Sequence, residues 1–313
     1  MKIVYFGSDN FSRCILEAVL NTDHTVSAIV TTPDRKKGRG QCALRAPLKH
    51  IAQEKSIPCL QPEVLSSAET VAFLASLGAD LFMIVSYGKI LPEAVLDIPR
   101  LYALNIHPSL LPKYRGPSPI NYTLLNGERE SGFTVIKLNT RIDSGDIIFQ
   151  KKVAIDDTIN AYELMEMIAS MAAQEIDTLL TMVEDGTAPL MTQDEGGVSY
   201  APLLKKEDGH IDWNKPAQDI HNMIRAFVPW PSAYTFLKGK RLTVHRSVVD
   251  QDRKIDDGNK AGTIVAIHKD GWVRVTTRDG YLNLHEVQME GKKRMNAFEW
   301  TKGQRISVGD TLG

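Results

Sequence analysis

The chain has 313 residues, of which 43% are hydrophobic and 24% charged, a composition typical of an ordinary globular protein. Single cores rarely grow to this length, so two domains are expected. The net charge is −1, which excludes a strongly basic nucleic-acid-binding protein. Positive charge is nevertheless concentrated late in the chain: residues 206–313 hold 18 Lys and Arg against 14 Asp and Glu, and residues 1–205 hold 19 against 24. This bias is a weak indication of a polyanionic partner, and chance would also produce it.

The three cysteines argue against a disulfide-bonded protein and against a zinc-binding one. Cys14, Cys42 and Cys59 are odd in number and widely spaced, and no Cys-x-x-Cys pair occurs. This pattern fits neither a disulfide framework nor a zinc site, and it is typical of a reducing compartment. The N-terminal apolar run is short for a secretory signal, and no stretch approaches the roughly 20 apolar residues that cross a bilayer. A cytoplasmic protein without a metal is therefore expected, and a monomer is the default because no oligomerisation element is evident.

The first half of the chain alternates strand-like and helix-like segments. In chain order we expect a strand, a helix, a strand, a helix and two further strands, at Met1–Phe6, Phe11–Leu20, Thr25–Val30, Ala46–Glu54, Ala79–Val85 and Leu101–Ile106. This alternation predicts an α/β fold, a doubly wound and mostly parallel Rossmann-like sheet. Ligands of such sheets lie beyond the carboxyl ends of the strands, so a site is expected there.

The second half of the chain has a different pattern of predicted helices and strands. One long helix is predicted over Asp157–Glu184, followed by polar sequence and a helix at Ala217–Phe227. Short β-type runs then follow, separated by Asp270-Gly271 and Asp279-Gly280 turns. They predict a small β-barrel or sandwich, for which the oligonucleotide-binding (OB) barrel is one candidate. The expected division is a catalytic domain at 1–188, a linker at 189–206 and a C-terminal domain at 207–313.

Nucleotide-cofactor motifs are missing. The first strand is followed by Gly7-Ser8-Asp9-Asn10, with one glycine where a dinucleotide fingerprint has three. No Walker-type phosphate loop is present, so neither NAD nor ATP is expected.

The residues that suggest chemistry follow the strand near residue 105. Asn105 and His107 are two positions apart, so on an extended strand they point to the same side. An amide beside an imidazole can receive an oxygen that gains negative charge during addition to a carbonyl. The alternative is that both are ordinary polar residues at a strand end. Asp143, within Arg141–Asp146, lies in a sequence that by itself indicates only a turn.

Three elements form a combined pattern. They are Asn105-x-His107, the run Ser109-Leu110-Leu111-Pro112, and Asp143 at 36 positions after the histidine. This pattern resembles the folate-dependent formyltransferase family, which includes glycinamide ribonucleotide, amino-sugar and methionyl-tRNA formyltransferases. The resemblance implies that Asn105 and His107 hold the formyl oxygen and that Asp143 supports His107. It implies 10-formyltetrahydrofolate as the formyl donor. The residues implied to contact the folate are Ser86, Tyr87, Gly88, Ile90, Leu91, Ser109, Leu110, Leu111, Pro112 and Leu138.

Within that family, a basic loop and the C-terminal half favour the methionyl-tRNA branch. The loop at residues 31–40 resembles one that in this branch reaches the acceptor end of tRNA, and the C-terminal tail resembles that branch's second domain. The residues implied to contact methionyl-initiator tRNA are Arg35, Lys36, Lys37, Arg39, Lys292, Lys293 and Arg294. The tRNA enzymes usually have Arg-Gly-Ala-Ala-Pro-Ile where this chain has Arg115-Gly116-Pro117-Ser118-Pro119-Ile120, and the Asn121-Tyr122 that follows leans toward the amino-sugar enzymes. A formyltransferase acting on a nucleotide-linked amino sugar and a non-catalytic folate- or RNA-binding protein stay as alternatives.

Overall fold

The structure, a computed structural model, describes residues 1–36, 43–44, 47–250 and 258–313. The chain divides into two compact units. The first comprises Met1–Pro119, Glu130–Val153 and Met165–Ala201. The second comprises Ile120–Arg129, Ala154–Leu164 and Pro202–Gly313. The division differs from the expected boundaries because two internal stretches group with the second unit and residues 189–201 group with the first.

The first unit is built on a seven-stranded sheet in the order β5-β2-β1-β6-β7-β8-β9. Strands β5, β2, β1, β6 and β7 pair in parallel, and β8 pairs antiparallel with β7. A separate antiparallel pair joins β3 and β4. The predicted doubly wound, mostly parallel sheet is confirmed. The strands are β1 (Lys2–Gly7), β2 (Thr25–Val30), β3 (Arg35–Lys36), β4 (Ala43–Leu44), β5 (Cys59–Leu60), β6 (Leu81–Val85), β7 (Tyr102–His107), β8 (Glu130–Lys137) and β9 (Ile147–Ala154).

The centre of this sheet is buried on both faces. Every residue of β6 and all of β1 after Lys2 are buried, which explains why both strands are continuous apolar runs rather than alternating ones. From β1 the sheet grows in two directions: β2 and β5 lie on one side of it, and β6 and the later strands lie on the other. The carboxyl ends of β1, β6 and β7 therefore meet at the edge where such folds bind ligands.

The described residues contain nine α-helices, each of limited length. They are α1 (Asn10–Val19), α2 (Pro47–Glu54), α3 (Ala68–Ser76), α4 (Glu93–Leu96), α5 (Pro119–Leu125), α6 (Ala161–Gln174), α7 (Ile176–Glu184), α8 (Ala217–Ala226) and α9 (Ala297–Gln304). Within the described ranges, no helix combines the length and apolarity that spanning a membrane requires.

The single helix expected over Asp157–Glu184 was wrong in two respects. It begins later, because Asn160 caps α6 in a reciprocal pair with Glu163, in which each side chain accepts from the other's backbone N–H at 3.0 Å. It is also interrupted at Glu175, whose N–H bonds to the carbonyl of Ala172 three residues earlier instead of four. Helical periodicity continues through such a tight turn, so the sequence pattern does not reveal the break.

The second unit contains an antiparallel sheet in the order β10-β11-β14-β13-β12, with β15 paired to β14. Its strands are β10 (Ala233–Leu237), β11 (Lys240–Val249), β12 (Ile264–His268), β13 (Trp272–Thr276), β14 (Tyr281–Met289) and β15 (Met295–Asn296). The two Asp-Gly turns lie where predicted, between β12 and β13 and between β13 and β14. The sheet agrees with the predicted small barrel-like domain.

Candidate active site

Strand β7 carries Asn105 and His107 at the carboxyl edge of the first sheet. Asn105 is half-buried, and His107 is 4% exposed. Nε2 of His107 lies 2.9 Å from the carbonyl oxygen of Tyr114. Because a carbonyl only accepts, Nε2 is the ring nitrogen that donates, and Nδ1 is left facing Asp143, whose Oδ2 is 3.6 Å away.

Asp143 joins both β7 residues from a separate stretch of chain. Its Oδ1 accepts from Nδ2 of Asn105 at 3.4 Å, and its Oδ2 accepts from the backbone N–H of Gly116 at 2.9 Å. The carboxylate side chain is 14% exposed. The structure thus brings together the three side chains that the sequence singled out.

This arrangement combines three complementary functions within one small space. The amide of Asn105 has two N–H donors, of which the contact to Asp143 uses one. The imidazole and the carboxylate can exchange protons, and an amide donor can stabilise a developing oxyanion. Among the described residues, no cluster of three or more His, Cys, Asp or Glu has metal-binding geometry.

The Ser109–Pro112 turn lies directly after β7 and is held by buried hydrogen bonds. The hydroxyl of Thr134, which is fully buried, donates to the carbonyl of Ser109 at 2.6 Å and accepts from the N–H of Leu111 at 3.0 Å. Gln150 donates to both Thr134 and the carbonyl of Leu111. The hydroxyl of Ser109 donates to the carbonyl of Lys113 at 2.8 Å. The turn is therefore a fixed wall, and Ser109 is a structural residue within it.

The segment after β6 bends sharply at the same edge. Ser86 and Gly88 have positive φ values of 47° and 77°. Tyr87 and Leu91 are buried in an apolar cluster, while Ile90 is 69% exposed. The phenol of Tyr87 has no hydrogen-bond partner among the described residues, and burial raises its pKa to about 12.

Leu138 connects two apolar regions of the first unit. It is half-buried and packs against the cluster that contains Tyr87 and Leu91, and also against a second cluster of Leu111, Ile136 and Ile147. Of the ten residues predicted to contact folate, six keep exposed surface and four are buried. The six are Ser86, Gly88, Ile90, Leu110, Pro112 and Leu138. The four are Tyr87, Leu91, Ser109 and Leu111.

Sequence reasoning missed a layer of residues behind the site. Arg115 is 3% exposed, and its guanidinium donates to Oε1 of Gln193, which is 5% exposed. Gln193 in turn donates to the carbonyls of Asp143 and Gly145. Arg115 was noted only as part of a departure from a family motif, and Gln193 fell in the expected linker. No periodicity or motif marks Gln193, and the motif that contains Arg115 does not indicate what its side chain contacts.

The residues predicted to contact tRNA are only partly described. Arg35 and Lys36 form β3, whereas Lys37 and Arg39 lie outside the described residues. Lys292, Lys293 and Arg294 are exposed between β14 and β15. Arg294 forms an ion pair with Glu286.

Arg294 also lines a cavity of about 430 Å³ within the second unit, together with Arg225, Arg246, Glu163 and Glu286. Cations and carboxylates are mixed there, so the cavity is not a simple anion site. Asn105, His107 and Asp143 are not among the residues that line it.

Comparison with known proteins covers both parts of the chain. Residues 1–180 match the formyl transferase family, and residues 203–305 match the formyl transferase C-terminal domain. The chain is 40% identical over 313 residues to a methionyl-tRNA formyltransferase of Geobacter metallireducens, covering all of this chain and 99% of the relative. It is 38% identical to the methionyl-tRNA formyltransferase of Clostridioides difficile, with both chains covered completely.

A solved structure shares the fold. WlaRD, a sugar 3N-formyl transferase determined in the presence of dTDP and 5-N-formyl-THF, superimposes with a TM-score of 0.67 at 21% identity. The match covers 94% of this chain and 99% of that one.

Proposed function

Because the chain belongs to the formyl transferase family in both its N-terminal and C-terminal parts, we propose that it transfers the formyl group of 10-formyltetrahydrofolate to the α-amino group of methionyl-initiator tRNA. The product would be formylmethionyl-tRNA, which serves translation initiation. Relatives matched over their whole length and carrying the methionyl-tRNA formyltransferase name support this acceptor.

The single observation that carries the chemistry is the meeting of Asn105, His107 and Asp143. The folate supplies the formyl carbonyl. Asn105 is placed to donate to its oxygen as negative charge develops there. As the new C–N bond forms, His107 and Asp143 can take the proton that the attacking amine loses, and they can deliver a proton to the folate nitrogen when the bond between that nitrogen and the formyl carbon breaks. A free α-amino group has a pKa of about 7.7–8.0, so a useful fraction is neutral and nucleophilic near neutral pH.

A folate-type donor fits the surface around these residues. Leu138 is half-buried and packs against the apolar cluster that contains Tyr87, and Ile90 is exposed nearby in sequence. Flat heteroaromatic rings bind such apolar walls, and the positive φ of Ser86 and Gly88 lets backbone groups turn toward a ligand. The 5-N-formyl-THF named with WlaRD supports the same donor class.

The proposed tRNA contacts are Arg35, Lys36, Lys37 and Arg39 in the first unit and Lys292, Lys293 and Arg294 in the second. Contacts of cationic side chains with phosphates position a nucleic acid and do not read its bases. The proposed setting is the cytoplasm, which the free thiols of Cys14 and Cys59 suit, and the proposed state is a monomer.

An acceptor screen tests the proposal. The protein is incubated with 10-formyltetrahydrofolate and either methionyl-initiator tRNA or a nucleotide-linked amino sugar, and acid-stable formylated product is counted. We expect formylmethionyl-tRNA and no formylated sugar. Turnover of the sugar without turnover of the tRNA would move the assignment to the amino-sugar branch. Binding of folate and tRNA without product from either acceptor would identify a non-catalytic binding protein.

A further inference from the structure

We infer that Gln193 is a positioning residue that fixes the loop carrying Asp143, so that residues 193–201 form a structural part of the active site. The inference rests on the proposed function, because it assigns Gln193 its effect through Asp143. Nε2 of Gln193 donates to the carbonyl of Asp143 at 2.9 Å and to the carbonyl of Gly145 at 2.7 Å. One side chain thus holds the backbone on both sides of Ser144.

The opposite end of the same amide is held equally firmly. Oε1 of Gln193 accepts from Nε and Nη2 of Arg115 at 3.1 and 2.8 Å. Two donors and two acceptor lone pairs are the full capacity of a carboxamide, and all four are used here. A carboxylate at this position would keep the contacts to Arg115 but would turn an oxygen toward two carbonyl oxygens.

Arg115 is itself tied to the same segment. Its backbone N–H donates to the carbonyl of Ser199 at 2.9 Å, and its carbonyl accepts from the N–H of Ala201 at 2.8 Å. Its buried guanidinium also pairs at 3.1 Å with Glu195, whose side chain is 67% exposed. The backbone and the side chain of Arg115 therefore both bind residues 193–201, which include the Gln193 that contacts the Asp143 loop.

The loop needs this support because its conformation is unfavourable by itself. Asp143 has a φ of 46°, in the left-handed region that non-glycine residues rarely adopt. Such residues persist where the surrounding structure over-determines them. Gly145 is pressed so closely against β8 that an added Cβ would lie 1.7 Å from the carbonyl oxygen of Lys137. Gln193 adds two hydrogen bonds to the same loop.

The same segment also supports His107. The hydroxyl of Ser199 accepts from the backbone N–H of Tyr114 at 2.9 Å, and the carbonyl of Tyr114 accepts from Nε2 of His107 at 2.9 Å. Gly116, two residues further on, donates to Asp143. Residues 193–201 therefore back the short stretch 114–116, which contacts both the imidazole and the carboxylate.

Gln193→Glu tests the inference, since it keeps size and shape and removes both donors to the loop. We expect kcat for methionyl-tRNA formylation to fall about 10- to 100-fold, the scale of a small misplacement of catalytic groups. KM for the folate donor should change by less than about 3-fold, because the apolar wall is untouched. Gln174→Glu, the same chemical change at an exposed position in α6, is the matched control and should keep the wild-type rate.

A double-mutant cycle with Asp143→Asn separates a positioning role from a purely structural one. If Gln193 acts through Asp143, Gln193→Glu should cost less than about 3-fold in the Asp143→Asn background. Equal costs in both backgrounds would overturn the inference, as would a wild-type kcat in Gln193→Glu. A wild-type rate in Asp143→Asn alone would overturn the role of Asp143 and with it this inference, whereas no formylation of methionyl-tRNA by the wild-type protein would overturn the proposed function. If Gln193→Glu does not fold by circular dichroism, Gln193→Met, which also lacks the donors, replaces it in the same cycle.

Discussion

The carbonyl oxygen of Tyr114 accepts a hydrogen bond from Nε2 of His107 at 2.9 Å, and this contact determines which ring nitrogen is left to exchange a proton. With Nε2 occupied as a donor, Nδ1 is the nitrogen that faces Asp143. In the proposed reaction, proton exchange would therefore involve Nδ1 and the Asp143 carboxylate. The proposed donor to the formyl oxygen is then chiefly Asn105, whose amide has one N–H beyond its contact with Asp143.

Gly145→Ala should damage catalysis through the backbone. An added Cβ would meet the carbonyl of Lys137 at 1.7 Å, so the loop must move and carry Asp143 with it. We expect kcat to fall by at least about 10-fold. Gly303→Ala in α9, where an added Cβ meets nothing within 4 Å, is the control and should keep the wild-type kcat. Equal rates in the two variants would show that the loop position is not critical.

Thr134→Val should destabilise the fold. Its buried hydroxyl serves Ser109, Leu111 and Gln150, all of which lose a partner when it becomes a methyl group. Leaving buried polar groups unpaired costs about 1–3 kcal/mol in the free energy of unfolding. Urea denaturation followed by circular dichroism measures this loss. An unchanged midpoint and slope would mean that these hydrogen bonds do not hold the Ser109–Pro112 turn.

His221 should make the second unit sensitive to acid. Burial, and to a lesser extent the positive charge of Arg225, lower the pKa of His221, whose ring bonds to the carbonyl of Asp157 and to Ser247. The folded protein therefore holds the neutral ring, while the unfolded chain gains a proton below about pH 6.5. This contribution to stability is complete above that pH and is lost as the pH falls toward the lowered value.

The measurement is urea denaturation at about pH 8 and about pH 5.5. His221→Gln should lose less stability between the two conditions than the wild type. The exposed His50→Gln serves as the control for removing a histidine. An identical loss in His221→Gln and the wild type would contradict the assignment of this acid sensitivity to His221.

Arg39→Ala should reduce acceptor use and spare the donor. Arg39 belongs to the basic loop, so we expect slower formylation of methionyl-tRNA but unchanged hydrolysis of the folate donor. Weaker phosphate contact should also reduce the dependence of tRNA binding on salt concentration. Arg13→Ala, which removes an exposed arginine paired with Glu17 in α1, is the control. Equal losses in both assays would exclude the loop as an acceptor element.

The sequence predicted the sheet and the meeting of the three polar side chains because both depend on regular patterns. Strands β1 and β6 are apolar runs, and Asn105 and His107 follow the two-residue period of a strand. The family resemblance placed Asp143 beside them and is confirmed for the family as a whole. Spacing was sufficient for the sheet and for the pairing of Asn105 with His107, whereas the place of Asp143 came from the resemblance alone.

The supporting residues Arg115 and Gln193 could not be predicted from the sequence because their role depends on tertiary contacts. Gln193 is 50 residues from Asp143 and 78 from Arg115, and it lies in polar sequence without helical or strand period. The contact of His107 with Tyr114 uses a backbone carbonyl, which every residue has. Such contacts appear only when the chain is folded. Residues 189–206 were expected to be a linker because their sequence is polar and has no regular period.

The most direct test of the central claim is single-turnover formylation of methionyl-tRNA by Asn105→Ala, with folate binding measured in parallel. Losing one donor to a developing oxyanion typically lowers the rate by about 10²- to 10³-fold, and we expect a loss in this range with folate affinity nearly unchanged. A wild-type rate in Asn105→Ala would contradict the account, because the carbonyl oxygen would then be stabilised elsewhere.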